Sequence, residues 1–350
     1  MTEHGPTTVN DDTPGLDLAA FRAWYDGQRP GEITGDLSGQ VIAGGRSNLT
    51  YRVTDGSRAW IVRRPPLAHV QATAHDMGRE HTVMSALAPT DVPVPATYAL
   101  CQDPSVIGAP FYVMEPIDGI AYRSSEQLEA LGPERTAAIA TEMVDVLATL
   151  HAVDPAAVGL AEFGRPAGFL ERQVRRWGKQ LEGSRTTDRP AADELHRLLT
   201  ARVPEDDPSW VGIVHGDFRL DNLLTGSDDH IKAVVDWEMA TLGDVRTDLA
   251  LLLVYDNLAS LPAAGLVSDV STAPGYPSAE DHLARYAEQR GRGLGDMGFH
   301  LGLAYFKLAV ILEGIHFRFL QGATVGEGFD QISAGFDPLI ARGLDALADH

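Results

Sequence analysis

Residues 214–224 read VHGDFRLDNLL, an apolar run that breaks into a His, a Gly, two aspartates and an asparagine before turning apolar again. A short strand feeding a loop crowded with carboxylates is a costly turn, because each ionised group must stay hydrated or find a partner. Either water covers the loop or something charged binds there. The spacing argues for the second: H-G-D-x-x-x-x-N is followed, fourteen residues after the Asn, by the Asp of VVDWE. At these positions Asp217 can orient a hydroxyl and accept its proton, while the amide oxygen of Asn222 and the carboxylate of Asp236 offer hard oxygen ligands to Mg2+. The flanking stretches VGIVH (211–215) and IKAVVDW (231–237), with a turn at GSDD (226–229), are expected to form a hairpin that brings Asn222 and Asp236 together. A solvated acidic turn would account for neither this spacing nor the Gly-rich loop upstream.

Working outward, the texture of the chain changes near residue 116. Before it, strand patterns dominate: GQVIAGGRSNLTYRVT (39–54), RAWIVRRPP (58–66), PVPATYAL (93–100) and GAPFYVMEPIDG (108–119) alternate or end on Gly and Pro. Between them AHDMGREHTVMSAL (74–87) carries Met77, His81, Met84 and Leu87 at helical spacing. After Gly119 the pattern turns helical, in runs over 133–154, 169–183, 189–202, 278–290, 296–320 and 327–348. The division expected is a flexible tail over 1–15, a sheet-rich unit over 16–115 and a helical unit over 116–350.

Composition narrows the partners. The chain has 350 residues, long for one core and natural for two. Its net charge of −21, from 28 basic and 49 acidic side chains, opposes binding to nucleic acid or to an anionic membrane surface. No uninterrupted apolar run reaches the roughly 20 residues of a membrane helix, and the acidic N-terminus is unlike a signal peptide, so a cytoplasmic location is expected. The single cysteine, Cys101, excludes an internal disulfide and reads as a small core residue. There is no CxxC, no HExxH and no GK[ST] of a Walker A loop.

The string HGDFRLDN, together with VVDWEMATLGDVRTDLALLL (234–253), resembles the aminoglycoside phosphotransferase and choline kinase group of protein-kinase-like enzymes, over about residues 38 to 345. The resemblance implies an α+β, two-lobed kinase-like fold, with a small mainly β lobe carrying one helix, a larger mainly α lobe, and ATP in the cleft between them. It makes Asp217 the catalytic aspartate, Asn222 and Asp236 the Mg2+ ligands, and Arg219 a contact for the transferred phosphoryl group. His215 becomes a structural residue that holds the loop. In the matching Gly243, Asp244, Asp248 and Leu249, Asp248 reads as the N-terminal cap of an apolar helix that braces the loop.

The first lobe is then expected to cover the nucleotide. Gly44 and Gly45 allow close backbone approach, with Ser47 and Asn48 meeting phosphate oxygens. On the next strand, the position that usually holds a phosphate-contacting Lys is Arg63, with Glu80 as its ion-pair partner. VMEPIDG (113–119) resembles the hinge, where the backbone of Glu115 to Ile117 faces the adenine edge.

The acceptor is expected to be a small-molecule hydroxyl. The strings RRPPLAHVQATAHDMGRE (63–80), FYVMEPIDG (111–119), HGDFRLDN and KLAVILEGIHFRFLQG (307–322) look most like kinase-like domains that accompany acyl-CoA dehydrogenases. That implies a hydroxyacyl compound or its CoA thioester, with Lys307, His316 and Arg318 available for an anionic part. Two other readings stay open: an aminoglycoside or other antibiotic phosphotransferase, and an inactive kinase-like protein that binds nucleotide for regulation.

Overall fold

A computed structural model describes residues 13–42, 48–67, 76–259, 261, 268–322 and 332–348. The chain divides into two compact units. One comprises Met1–Pro89, Val94–Asp118 and Asp236–Glu238, and the other Thr90–Pro93, Gly119–Val235 and Met239–His350.

The first unit opens with helix α1 (Leu18–Gln28), started by Asp17, whose carboxylate accepts from the amides of Ala19 and Ala20. Strands β1 (Ser38–Val41), β2 (Leu49–Thr54) and β3 (Ala59–Arg64) follow, then α2 (Met77–Leu87), β4 (Thr97–Cys101) and β5 (Phe111–Met114). The strands form one antiparallel sheet in the order β1-β2-β3-β5-β4. Strand alternation sorts its side chains between two faces. Tyr51, Val53, Trp60, Val62, Phe111 and Val113 form a core with Phe21 and Tyr25 of α1. The Trp24 ring meets Phe111 edge-on at 4.7 Å, and Tyr25 meets Trp60 at 5.9 Å. Ile61, Arg63 and Tyr112 alternate with this set, and Tyr112 reaches Glu80 of α2. Cys101 is buried and free, a core residue as read from sequence.

The unit therefore holds two helices where the sequence reading expected one. The overlooked α1 has its own helical signal, Leu18, Phe21 and Tyr25 at helical spacing after an Asp cap. On α2 the buried face runs through Met77, Glu80, Val83, Met84 and Leu87, so Glu80 and Val83 take the place that the sequence pattern gave to His81.

The second unit contains α3 (Ser125–Glu129), α4 (Pro133–Ala152), α5 (Phe169–Ser184), α6 (Pro190–Ala201), β6 (Val211–Val214), β7 (Leu223–Thr225), β8 (Ile231–Val234), β9 (Thr241–Asp244), α7 (Arg246–Leu258), α8 (Ala279–Arg290), α9 (Gly298–Leu320) and α10 (Phe336–Ala348). The pairing departs from the single hairpin expected. VGIV pairs with TLGD as β6-β9, whereas IKAV pairs with LLT as β7-β8. One two-stranded ladder thus encloses the other, and the loop 215–222 is strung between a strand of each.

Helix α9 is the most apolar long helix among the described residues, though His300, Lys307, Glu313 and Arg318 interrupt it. By length and composition it could cross a membrane, with a mean hydropathy of 1.4, yet 78% of that stretch is buried within the fold. It packs against α5, α6, α7 and α10. A largely apolar helix is what the centre of a helical unit requires.

Candidate active site

Gly216 sets the loop. Its φ is +89°, and a Cβ there would lie 2.7 Å from Met239 Cβ and 2.9 Å from its carbonyl oxygen, so only glycine fits. His215, fully buried, is expected from sequence to be structural, and its bonds agree. Its Nδ1 accepts from the Asp217 amide at 3.2 Å, and Nε2 lies 3.1 Å from the Val235 carbonyl. That pattern assigns the proton to Nε2, and a ring fixed at both nitrogens serves as a strut.

Asp248 completes the frame, though not as a cap. The helix begins at Arg246, and Asp248 lies inside its first turn, 1% exposed. One carboxylate oxygen accepts from His215 N–H at 2.6 Å and the other from Gly216 N–H at 2.8 Å. It braces the loop by taking two consecutive loop amides, which a cap of its own helix could not do. Burial by itself raises its pKa, but the His151 hydrogen bond and charge, with those of the loop, hold it below the usual value.

Asp217 emerges from this frame with both carboxylate oxygens placed. Oδ1 accepts from the Tyr255 hydroxyl at 2.9 Å and Oδ2 from Asn222 Nδ2 at 3.1 Å. The same Nδ2 donates to the Asp217 carbonyl at 2.8 Å. Asn222 therefore directs its amino group at Asp217, and its Oδ1 accepts no hydrogen bond among the described residues. A carbonyl oxygen left free in this way suits a hard cation. The Asn222 carbonyl also accepts from Val235 N–H at 2.9 Å, so chain connectivity places Asp236 immediately after a residue tied to Asn222. Asp236 has φ +67°, a strained conformation for a residue other than glycine and one concentrated at functional sites.

Cations surround the aspartate. Arg219 Nε lies 3.9 Å from Asp217 Oδ2, its guanidinium sits over the Tyr255 ring at 4.9 Å, and Nη2 pairs with Asp221. Lys307 of α9 donates to the Gly216 carbonyl at 2.6 Å, with its ammonium 5.6 Å from the Trp177 ring. Burial lowers the pKa of Lys307, and the charges of Asp217 and Asp248 oppose that shift. Of the other two α9 residues proposed for an anionic group, His316 is partly buried and Arg318 is exposed. Glu313, the segment's one acid, is fully buried and accepts from Thr186 N–H at 2.7 Å and from Arg189 at 3.1 Å.

The residues that the sequence reading expected on the nucleotide side form their own cluster in the first unit. Arg63 bridges two carboxylates: Nε lies 3.1 Å from Glu80 and Nη2 donates to Asp236 at 2.6 Å. The Nε contact is close but poorly aligned, an ion pair more than a hydrogen bond. Burial raises the Glu80 pKa, and the Arg63 charge offsets this only in part, leaving it at about 7. Asn48 Nδ2 donates to Glu80 and Glu238, each at 3.2 Å. Arg63 and Asn48, expected against phosphate oxygens, are thus turned onto protein carboxylates. Arg64, on the opposite face of β3, binds the carbonyls of Gly15 and Ile107. Glu115 N–H is engaged by the Ala96 carbonyl, whereas the backbone of Ile117 makes no hydrogen bond among the described residues. Gly44, Gly45 and Ser47 lie outside the described residues.

The fold and these two clusters define a class of protein, and the chain belongs to the phosphotransferase enzyme family (APH), whose profile matches residues 38–288. Curated relatives include acyl-CoA dehydrogenase family member 11 from Rattus norvegicus, 33% identical over 94% of this chain and 43% of that protein. Family member 10 from Mus musculus is 37% identical over 79% of this chain and 26% of that protein. The chain thus spans less than half the length of these relatives. A solved structure from Ralstonia eutropha, named as a candidate aminoglycoside phosphotransferase, is 34% identical, with a TM-score of 0.82 over 95% of this chain and 98% of that one. The ethanolamine kinase of Plasmodium vivax, at 15% identity and TM-score 0.56 over 93% of this chain and 86% of that one, shares the fold. The fold is α+β, of the two-lobed protein-kinase-like kind.

The sequence reading missed Tyr255 and Glu238. Tyr255 had a usable signal: it lies seven residues, or two helical turns, after Asp248 and so on the same face.

Proposed function

We propose that this chain is an ATP- and Mg2+-dependent phosphotransferase whose acceptor is the hydroxyl of an acyl compound, free or as its CoA thioester. The observation that carries the chemistry is the carboxylate of Asp217, held at both oxygens and flanked by Asn222 with its carbonyl oxygen free. In this reading Asp217 orients the acceptor hydroxyl and accepts its proton as the oxygen attacks the γ-phosphorus of ATP. The bond from phosphorus to the β–γ bridging oxygen breaks and ADP leaves. Asn222 and Asp236 would hold Mg2+, which when bound would neutralise charge on the phosphates. Two protein ligands suffice for such a site, because Mg2+ keeps water and takes phosphate oxygens for the remainder. Among the described residues there is no group of three or more His, Cys, Asp or Glu placed to bind a metal on its own. In this reading Arg219 meets the transferred phosphoryl group and the backbone of Ile117 meets the adenine edge.

The acceptor class rests on charge. Lys307 and Arg219 lie against the catalytic loop, and Arg176 is near enough to disfavour the charged form of Lys307. Both cations have carboxylates beside them, Asp217 and Asp221 at Arg219 and Asp217 and Asp248 near Lys307, and in this reading an anionic or carbonyl-bearing chain competes for them. The acyl-CoA dehydrogenase names of the curated relatives point the same way, while the name of the Ralstonia structure favours the aminoglycoside reading. Magnesium-dependent ADP release, measured with a panel of hydroxyacyl-CoA thioesters and with kanamycin, separates them. Stimulation by a thioester and none by kanamycin is expected. The reverse pattern assigns the chain to the antibiotic kinases, and no turnover with any hydroxyl compound makes it a nucleotide-binding protein.

A further inference from the structure

Helix α7 reaches the catalytic loop twice. In its first turn Asp248 takes the amides of His215 and Gly216, and two turns later Tyr255 donates its hydroxyl to Asp217 Oδ1 at 2.9 Å. The seven-residue interval puts both side chains on one face, so one rigid element fixes both the backbone of the loop and the carboxylate it presents.

An aspartate has a broad, roughly two-fold torsion at its carboxylate, and a group on a loop keeps that freedom unless something holds it. Asn222 does this weakly at Oδ2, at 3.1 Å, while its stronger bond, at 2.8 Å, goes to the Asp217 backbone. Tyr255 supplies the firmer hold on the carboxylate. Tyr255 is only 9% exposed, and the Arg219 guanidinium covers one face of its ring. The phenol stays protonated, because burial and then the Asp217 charge push its pKa well above the usual tyrosine value. It is therefore a donor at neutral pH.

We propose that Tyr255 is a positioning residue for phosphoryl transfer: by occupying Oδ1 it fixes the Asp217 carboxylate so that the acceptor hydroxyl is received at Oδ2. This inference rests on the reading of Asp217 as the group that accepts the acceptor's proton. A misdirected base costs rate while leaving substrate affinity alone, because the geometry matters in the transition state more than in the ground state.

The test uses the full chain, Mg·ATP and the hydroxyacyl-CoA thioester panel, with kcat and KM determined for Tyr255→Phe and Asp217→Asn beside the wild type. Tyr255→Phe keeps the ring and the Arg219 contact and removes only the hydroxyl. The expected result is a kcat lowered roughly tenfold, with KM for both substrates within about twofold and a melting temperature lowered by roughly ten degrees at most, the chain still fully folded at the assay temperature. A kcat within twofold of wild type overturns the proposal. So does a KM increase at constant kcat, which would make Tyr255 a binding residue, or a fall in melting temperature that accounts for the lost activity. Asp217→Asn separates the two levels. If it retains turnover, the proposed reaction fails; if it loses turnover while Tyr255→Phe does not, only the positioning role fails.

Discussion

The loop at 215–222 and the Arg63 cluster are both built from buried polar groups, but they are satisfied in opposite ways. In the loop each bond fixes an atom while leaving another free: Asp248 takes two amides, His215 is pinned at both nitrogens, and Asn222 keeps its Oδ1 open. In the cluster the charges answer one another, Arg63 with Glu80 and Asp236, and Asn48 with Glu80 and Glu238. The loop is organised before any ligand arrives. The cluster is a set of ion pairs that a polyphosphate and its cation would have to rearrange, since Arg63 and Asp236 now hold each other. Pre-organised hydrogen-bond frames favour rate, and exchangeable ion pairs favour binding that depends on the ligand's charge.

The comparison breaks most visibly at Asp217. Asp217→Asn should lower turnover by roughly 10² to 10⁴ while Mg·ATP affinity changes little, because in the proposed reaction the carboxylate acts on the acceptor's proton. Equal losses in turnover and nucleotide affinity would mean that the loop and the cluster act as one site.

Asp248→Asn strikes the frame itself. An amide can accept from one loop N–H, but its amino group then faces the other N–H with no acceptor to offer. A loss of about 3 kcal/mol or more is expected in urea unfolding, the range for removing one partner of a buried charged network. A stability change below about 1 kcal/mol would show that the loop amides tolerate the loss of their carboxylate.

Arg63 tests the exchangeable side. Arg63→Ala leaves Glu80 and Asp236 without their cation, and should weaken Mg·ATP binding by about 10- to 100-fold in calorimetry. Arg63→Lys should recover part of this, since one ammonium replaces the charge but not a fork that reaches two carboxylates. If alanine and lysine behave alike, the charge of Arg63 is immaterial, and the bridge is an arrangement of the nucleotide-free chain alone.

The loop was legible because its chemistry is local: His215, Gly216, Asp217 and Asn222 are read directly from their spacing, and the structure places them around one carboxylate. What failed was pairing over distance. TLGD is a poor strand by composition, so nothing in it announced that it would pair with VGIV thirty residues earlier. The apolar run IKAV was correctly read as a strand, but the hydrophobic pattern does not name a partner. Asp248 was mistaken for a cap because an acidic residue near a helix start is ordinarily one. The loop amides that bind it lie more than thirty positions upstream. The stretch of α1 was assigned no element from sequence; Phe21, Trp24 and Tyr25 favour strands by propensity, against the helical spacing of Leu18, Phe21 and Tyr25.

Asp244 and Asp248 sharpen the comparison further, because they lie four residues apart and brace different things. Asp248 holds the catalytic loop, whereas Asp244 binds Arg246 through both oxygens, at 3.0 and 2.6 Å, and accepts from His300 at 3.1 Å. Burial by itself raises the Asp244 pKa, but the His300 and Arg246 bonds more than offset it, and the carboxyl is held down at about 2 against 3.8 for an unperturbed group. A depressed carboxylate contributes stability that is complete above its unfolded pKa and is lost as the pH falls through its folded value. The window is therefore about pH 4 down to 2. Asp244→Asn should cost on the order of 2 kcal/mol at pH 7, and the gap between variant and wild type should narrow through that window. Chemical denaturation of both proteins at pH 7, 4 and 3 measures it, and comparison of the two cancels the acid sensitivity they share. Turnover at pH 7 should fall far less than in Asp248→Asn, because Asp244 touches no amide of the loop. A gap of constant size from pH 7 to 3 would show that shape, not charge, makes Asp244 worth its place, and a turnover loss matching that of Asp248→Asn would join the two aspartates into one brace.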